Sequence, residues 1–311
     1  RKSEAFSRLV EESKSAECSS GSQVAKKAGA GRGREIHMLS LRLLRNTWRH
    51  PFLITLNFAL NLVAAVGVGI FYWGSGYDTP GIQNRLGTLF FILLFLSIMS
   101  LSSLPVWQSD RRLFLREVGS GSYGAFSYFL AMVVFDMLVM RVLPIFMFAA
   151  TYEMVGLWSQ PPSRLGWFLL VIMLMNLCAS SVCMCVGAAT RSAAMANMVG
   201  SFVVLAQLLF GGFLLNNTQL PPYVEWLQWV SYIKYAYEAL AINEFAGHGY
   251  TFTAPEDENL WLDAQGEEVL LTFGLDPTAF RFDVGMLGVL TFAGLFGCLL
   301  ALLVGARSAR Y

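Results

Sequence analysis

Charge is scarce in this chain. Of its 311 residues only 14% are Asp, Glu, Lys or Arg, while 55% are hydrophobic; soluble domains carry roughly 25% charged residues. That deficit excludes an ordinary water-soluble globule and points to a protein that uses lipid as solvent. Histidine is almost missing. His37, His50 and His248 stand alone and outside every long apolar run, so neither a nucleophile–base set nor an intramembrane metal site is supported. Of five cysteines, Cys18 lies in a polar tail and Cys178, Cys183, Cys185 and Cys298 lie in apolar runs. They make no disulfide framework, and Cys183 and Cys185 are too close for a zinc CxxC pair. No GxxxxGK[ST] occurs: the glycines between Gly29 and Arg34 lack the Gly-Lys-Ser/Thr ending that cradles phosphates. Basic residues do not interleave with exposed aromatics, which removes nucleic acid from the partners. The chain opens at Arg1 without the charged and apolar regions of a signal peptide. It therefore reads as a fragment or processed piece whose insertion relies on its first apolar run.

What the chain has is long apolar runs. Six are long enough for a core that needs about 20 residues: Phe52–Trp73, Leu86–Trp107, Phe126–Thr151, Leu165–Ala189, Ala193–Leu215 and Val284–Ala306. Before them, residues 1–33 are Ser-, Gly- and Ala-rich and read as a linker. Residues 34–50 mix Arg34, Arg42, Arg45 and Arg49 with Leu39, Leu43 and Trp48, the pattern of a basic amphipathic helix at a membrane surface. The Lys/Arg bias sets orientation. With the N-terminus inside, inner segments hold Arg32, Arg34, Arg42, Arg45, Arg49, Arg111, Arg112, Arg116, Arg191, Arg307 and Arg310; outer ones hold only Arg85, Arg164, Lys234 and Arg281. Both termini are thus expected in the cytoplasm, with 216–282 as an external cap holding ten of the 21 acidic residues.

Three constellations stand out. Asp136 and Arg141 sit inside the third run, just before Pro144. Intramembrane charges usually face a bundle interior or a hydrated cavity. On an α-helix five residues turn about 500°, placing the two side chains roughly 140° apart, so they are expected to find partners other than each other. They read as a coupling or substrate-sensing position, with a purely structural buried charge as the alternative. The segment 108–124, QSDRRLFLREVGSGSYG, reads as a short charged helix that a partner domain pushes on, or as a positive-inside anchor. Phe213, Leu214 and Leu215 follow Gly211-Gly212 and suit a bulky apolar plug, with the glycines admitting a second copy; ordinary helix-end packing is the alternative. Beyond them Tyr223, Trp226, Trp229, Tyr232 and Tyr235 recur every third residue, the spacing of an interfacial aromatic belt on a re-entrant helix. The sequon at Asn216 lies too close to the membrane to be used.

Taken together, LFLREVGSGSYGAFSYFLA (113–131), MRVLP (140–144), FGGFLLNN (210–217) and YIKYAYEALAINEFAGHGY (232–250) resemble the transmembrane domain of G-subfamily ABC half-transporters of the White and multidrug-resistance type. The likeness covers nearly the whole chain. It implies an ABC-2 type, all-α membrane domain: six transmembrane helices, an N-terminal amphipathic connecting helix, and a re-entrant or external cap between helices five and six. It further implies that 34–50 rests on a nucleotide-binding domain. Arg111, Arg112, Arg116 and Glu117 would transmit that domain's motion, and spans two and five would line a cavity shared by two subunits. By resemblance Ile98, Ser201 and Leu205 face that cavity, Phe213 and Leu214 form the plug, and Arg141 influences substrate choice. Two departures matter. Ile98 replaces a Phe that stacks on flat aromatic substrates in the multidrug type, and 247–282 lacks the cysteines that bridge its subunits, leaving dimerisation to packing.

The sequence therefore predicts the membrane half of an ATP-driven exporter of lipids, sterols or amphipathic xenobiotics, working as a homo- or heterodimer by alternating access in the plasma membrane. This chain carries no ATPase motif and is not by itself an enzyme. ATP and Mg are expected in a nucleotide-binding domain that is missing here. The alternative is a non-transporting scaffold subunit that docks with a separate ATPase. An integral membrane enzyme would need clustered His, Asp or Glu in the spans, where only Asp136 and Arg141 are found.

Overall fold

The computed structural model describes residues 32–49, 52–119, 123–157, 161–190, 192–214, 225–247, 249–253 and 261–308. The expected linker, Tyr223 and the Asn216 sequon lie outside these residues.

Helix α1 (Arg32–Arg49) carries Glu35 in its first turn, where a carboxylate complements the helix dipole. It lies along α5 (Ala125–Phe135), with Leu39 buried beneath it. Five segments are long and apolar enough to cross a membrane: Ile54–Phe71, Thr79–Pro105, Ala125–Val155, Ser163–Ala189 and Phe280–Gly305. The first belongs to α2 (Phe52–Phe71). The second joins α3 (Thr79–Ser100) to the start of α4 (Ser103–Gly119). The third runs from α5 through a π-helix (Asp136–Val142) and α6 (Leu143–Ile145) to α7 (Phe148–Val155). The last two correspond to α8 (Ser163–Ala189) and α13 (Phe280–Ser308). The sixth expected span is apolar but shorter: α9 (Ala193–Leu209) has 17 residues, about 26 Å of helix, against a core of roughly 30 Å.

Helix starts follow local chemistry. Asp78 caps α3 by accepting from the Gly81 N–H at 3.2 Å, with Pro80 in the first turn, where its missing N–H costs nothing. Ser192 caps α9 and Ser231 caps α11 (Tyr232–Phe245) in the same way.

The core forms where α3, α8, α11 and α13 meet. Close packing needs small residues there: a Cβ at Gly294 of α13 would strike Ser181 of α8. Helix α11 is almost wholly buried, and this corrects the aromatic-belt expectation. The chain leaves helical form between α10 (Glu225–Gln228) and α11, so the four described aromatics, Trp226, Trp229, Tyr232 and Tyr235, do not share one face. Trp226 and Trp229 are exposed, whereas Tyr232 and Tyr235 lie in the core.

The described membrane-length segments are built of helices, with short turns at 101–102 and 146–147, but the cap is not purely helical. An antiparallel hairpin pairs β1 (Gly249–Thr253) with β2 (Trp261–Gln265), in register from Gly249↔Gln265 to Thr253↔Trp261. Helix α12 (Gly266–Thr272) follows it.

Candidate functional site

Pro105 initiates the site. A proline has no N–H to give the carbonyl four residues back, here that of Leu101, and the second span breaks just before it, between Ser100 and Ser103. A break inside an apolar bundle leaves carbonyls that must find donors. The Met99 carbonyl accepts from the Ser102 N–H and Oγ at 3.1 and 2.7 Å, and Arg141, 2% exposed, adds donors from the third span. Its Nη1 donates to the Met99 carbonyl at 3.1 Å, and its Nη2 donates to the Ser100 carbonyl at 3.5 Å, to Ser102 Oγ at 3.2 Å and to Ser103 Oγ. The planar fork of a guanidinium suits this many-sided task better than an ammonium would.

Arg141 also pairs with Asp136, Nε to Oδ2 at 3.5 Å, which overturns the expectation that the two would not meet. The reason is the π-helix at 136–142. Its hydrogen bonds run five residues back, as from the Leu143 N–H to the Leu138 carbonyl, so residues five apart fall on one face. Ser180 donates to Asp136 Oδ2 at 2.7 Å, and Asn176 Nδ2 donates to the Arg141 carbonyl at 3.1 Å. Two side chains of α8 thereby fix the bulge, and the buried charge pair has hydrogen bonds around it.

A cavity of about 380 Å³ opens beside this clamp. Leu56, Asn57 and Leu60 line it from α2, Ile98, Met99, Ser102, Pro105 and Trp107 from the second span and α4, and Met132, Phe135, Asp136, Met140 and Arg141 from the third span. Its walls are apolar with a few convergent polar groups, the usual make-up of a small-molecule site. Ile98, expected from sequence in a cavity shared by two subunits, lines this one within a single chain. Ser201 and Leu205 lie on α9, where Ala196, Gly200, Val204 and Leu208 turn inward. Met198, Phe202 and Leu205, the last 63% exposed, turn outward.

Helix α4 is tied to α1 at its far end, where Arg42 Nη1 donates to both Glu117 oxygens at 3.0 Å. Glu35 in turn accepts from Ser127 Oγ at 2.8 Å at the start of α5. A second cavity, about 390 Å³, lies here among Arg34, Glu35, Met38, Leu39, Arg42, Glu117 and Tyr123. Arg116 is exposed on α4; Arg111 and Arg112 belong to the same helix, and their side chains lie outside the described atoms.

The plug residues divide. Phe213 stacks on Phe90 of α3 at 4.6 Å and meets Tyr237 of α11 edge-on at 5.8 Å, while Leu214 is 56% exposed. Gly212, at φ +89°, makes the turn that sends them apart from α9. Gly211 is needed within this chain: a Cβ there would lie 2.7 Å from Ile233 Cγ2. The close approach is by α11 of the same subunit, a correction to the second-copy expectation for this glycine.

Sequence reading treated Arg85 and Arg164 only as charges to be counted. Both are bound to the end of α11. Arg85 pairs with Glu244, donates to the Ser75 and Gly76 carbonyls at 2.8 and 3.1 Å, and stands over the Tyr77 ring at 4.4 Å. Arg164 donates to the Asn243 and Ala246 carbonyls, each at 2.7 Å, placing a cation at a helix C-terminus where it is favoured. Arginines at the edges of apolar runs, opposite a Glu at a helix end, were the available signal. Likewise Pro105 behind three serines was the sign of the break in span two.

The profile of the ABC-2 type transporter family matches residues 34–245 of this chain. The chain is similar to ABC transporter G family member 24 of Dictyostelium discoideum, at 35% identity over 79% of this chain and 21% of that protein. It is similar at 26% identity to the Broad substrate specificity ATP-binding cassette transporter ABCG2 of Mus musculus, over 78% of this chain and 38% of the relative. Protein white of Drosophila melanogaster is also 26% identical, over 83% of this chain and 38% of its own length. The chain thus spans less than half the length of each of these relatives.

Proposed function

The chain belongs to the ABC-2 type transporter family, with relatives among the G-family transporters, and on that premise we propose that it is the membrane-spanning half of an ATP-driven exporter. It works as a dimer by alternating access, with both termini in the cytoplasm of a plasma-membrane protein. The observation that carries this reading is the broken second span, clamped at Ser100–Ser103 by Arg141.

A span that is broken and then re-tied by side chains can bend at one place without exposing backbone. Helices α1 and α4, joined by Arg42 and Glu117, form the cytoplasmic platform on which a nucleotide-binding domain rests, with Arg111, Arg112 and Arg116 along α4. Displacing α4 swings α3 about the break and moves Ile98, which lies one turn before it. Asp136, Ser103 and Ser180 hold the guanidinium so that the hinge bends in one direction. The outward face of α9, with Leu205 and Phe202, supports contact with a second subunit across the substrate path, and Leu214 closes that path toward the exit. Ala193–Leu209 serves as the sixth span.

The sequence carries no GxxxxGK[ST] phosphate loop, and the work stroke, with ATP and Mg, is assigned to a nucleotide-binding domain. The substrates are lipids, sterols or amphipathic xenobiotics, as fits an apolar cavity with few polar groups. The test is ATP-dependent, vanadate-sensitive efflux by the full-length transporter carrying Leu214→Ala or Arg141→Ala. Leu214→Ala is expected to raise leak and Arg141→Ala to change the range of substrates. Unchanged transport and range in both would refute the assignment, and a wild-type protein that binds an ATPase without efflux would be a scaffold instead.

A further inference from the structure

Two buried carboxyl groups, Glu238 on α11 and Asp283 in the first turn of α13, lie on helices that pack against each other, apart from the clamp and both cavities. Asp283 is 1% exposed, and its Oδ2 has no hydrogen-bond partner. Glu238, 8% exposed, accepts from the Asp276 N–H at 2.9 Å and is the charged group acting most strongly on Asp283. The nearby cation is Lys234, half-buried, 4.3 Å from the Trp229 ring and 3.4 Å from Gln228 Oε1.

The other charges around the pair are accounted for. Asp276 is solvent-exposed and engaged by the Thr278 N–H and hydroxyl at 2.9 and 2.8 Å. Glu225 on α10 acts on Lys234. Arg281 on α13 and Glu267 and Glu268 on α12 are exposed. From α8, Trp167 meets Phe280 edge-on at this level, and Arg164 is turned to the carbonyls at the end of α11.

One lysine facing two carboxylates leaves one negative charge uncompensated in a site from which water is excluded. Such a charge is costly, and carboxylates that share a site resolve the conflict by keeping a proton. Protonation also answers the orphaned oxygen, since a carboxylate oxygen only accepts whereas a carboxylic acid can donate. We infer that Glu238 and Asp283 form a proton-binding site that holds one proton between them at neutral pH. A metal ion is the poorer occupant: among the described residues no group of three or more His, Cys, Asp or Glu side chains converges to hold one. Burial raises the Glu238 carboxyl above its ordinary range, against the pull of the Asp276 N–H and of Lys234. The proton belongs to the pair and not to one residue. Filled, the site binds α11 to α13; emptied, it sets two carboxylates against each other at that contact.

The test is infrared titration of the full-length transporter in phosphatidylcholine nanodiscs. Wild-type protein is expected to show the carbonyl stretch of a protonated carboxylic acid at pH 7, worth one proton per chain and lost in alkali. Asp283→Asn and Glu238→Gln each restore a one-to-one balance with Lys234, so each is expected to remove that band. Loss in either variant supports the site, and one well-folded variant suffices. A wild-type spectrum without the band at pH 7, or a band unchanged in both variants, overturns it. This outcome is independent of whether the protein exports anything.

Discussion

Replacing Glu244 by Gln tests whether α11 is held by charge or by packing alone. Arg85 and Glu244 are 1% and 2% exposed, so the substitution leaves a guanidinium buried without its counter-ion while keeping shape and volume. Removing one partner of a buried pair costs about 3–5 kcal/mol. Arg85→Met should cost at least as much, because it also strips the Ser75 and Gly76 carbonyls of their donor, at about 1–3 kcal/mol for each acceptor left unpaired. In the double variant neither charge remains and only the carbonyls suffer. It should therefore be more stable than the two single losses predict, by about 2 kcal/mol or more. The assay is the thermal unfolding midpoint in detergent, followed by tryptophan fluorescence, where the Gln variant should fall on the order of 10 °C. Additivity within about 0.5 kcal/mol, or a single-variant loss under about 1 kcal/mol, would refute the argument that this ion pair holds the helix.

Arg141→Lys should behave as a loss and not as a conservative change. One ammonium cannot reach Met99, Ser100, Ser103 and Asp136 together, so ATP hydrolysis should persist while coupled efflux falls, measured in the same proteoliposomes. Gly294→Ala should destabilise the α8–α13 contact by about 1–3 kcal/mol, because the new methyl meets Ser181. Gly285→Ala on the same helix has open space around it and should be neutral; equal midpoints for the two would remove the steric argument.

How much was legible depends on the kind of signal. An amphipathic helix was predicted at 34–50 and a helix covers Arg32–Arg49, because interspersed Arg and Leu is a local pattern. Five long spans were visible for the same reason, since apolar length alone identifies them. The pairing of Asp136 with Arg141 was misread because the spacing was laid on an α-helix, and the sequence does not announce a π-helix beyond the nearby Pro144. Ile98 lines a cavity within one chain, whereas on α9 Leu205 faces outward and Ser201 is half-buried, a distinction invisible in a run where every face is apolar.

Composition and order determined the class of this protein. Too few charges for water, apolar runs of membrane length and a basic amphipathic start leave a helical membrane domain, because lipid satisfies no backbone group and the helix satisfies its own. Tertiary structure decided where the costly groups went. Arg141 was drawn to a break just before Pro105 in another span, and Arg85 and Arg164 to the end of a helix more than 70 residues away in sequence. Each pairing joins distant segments, and each is dictated by the cost of leaving a buried donor, acceptor or charge unmet. That cost exists only once the helices have packed.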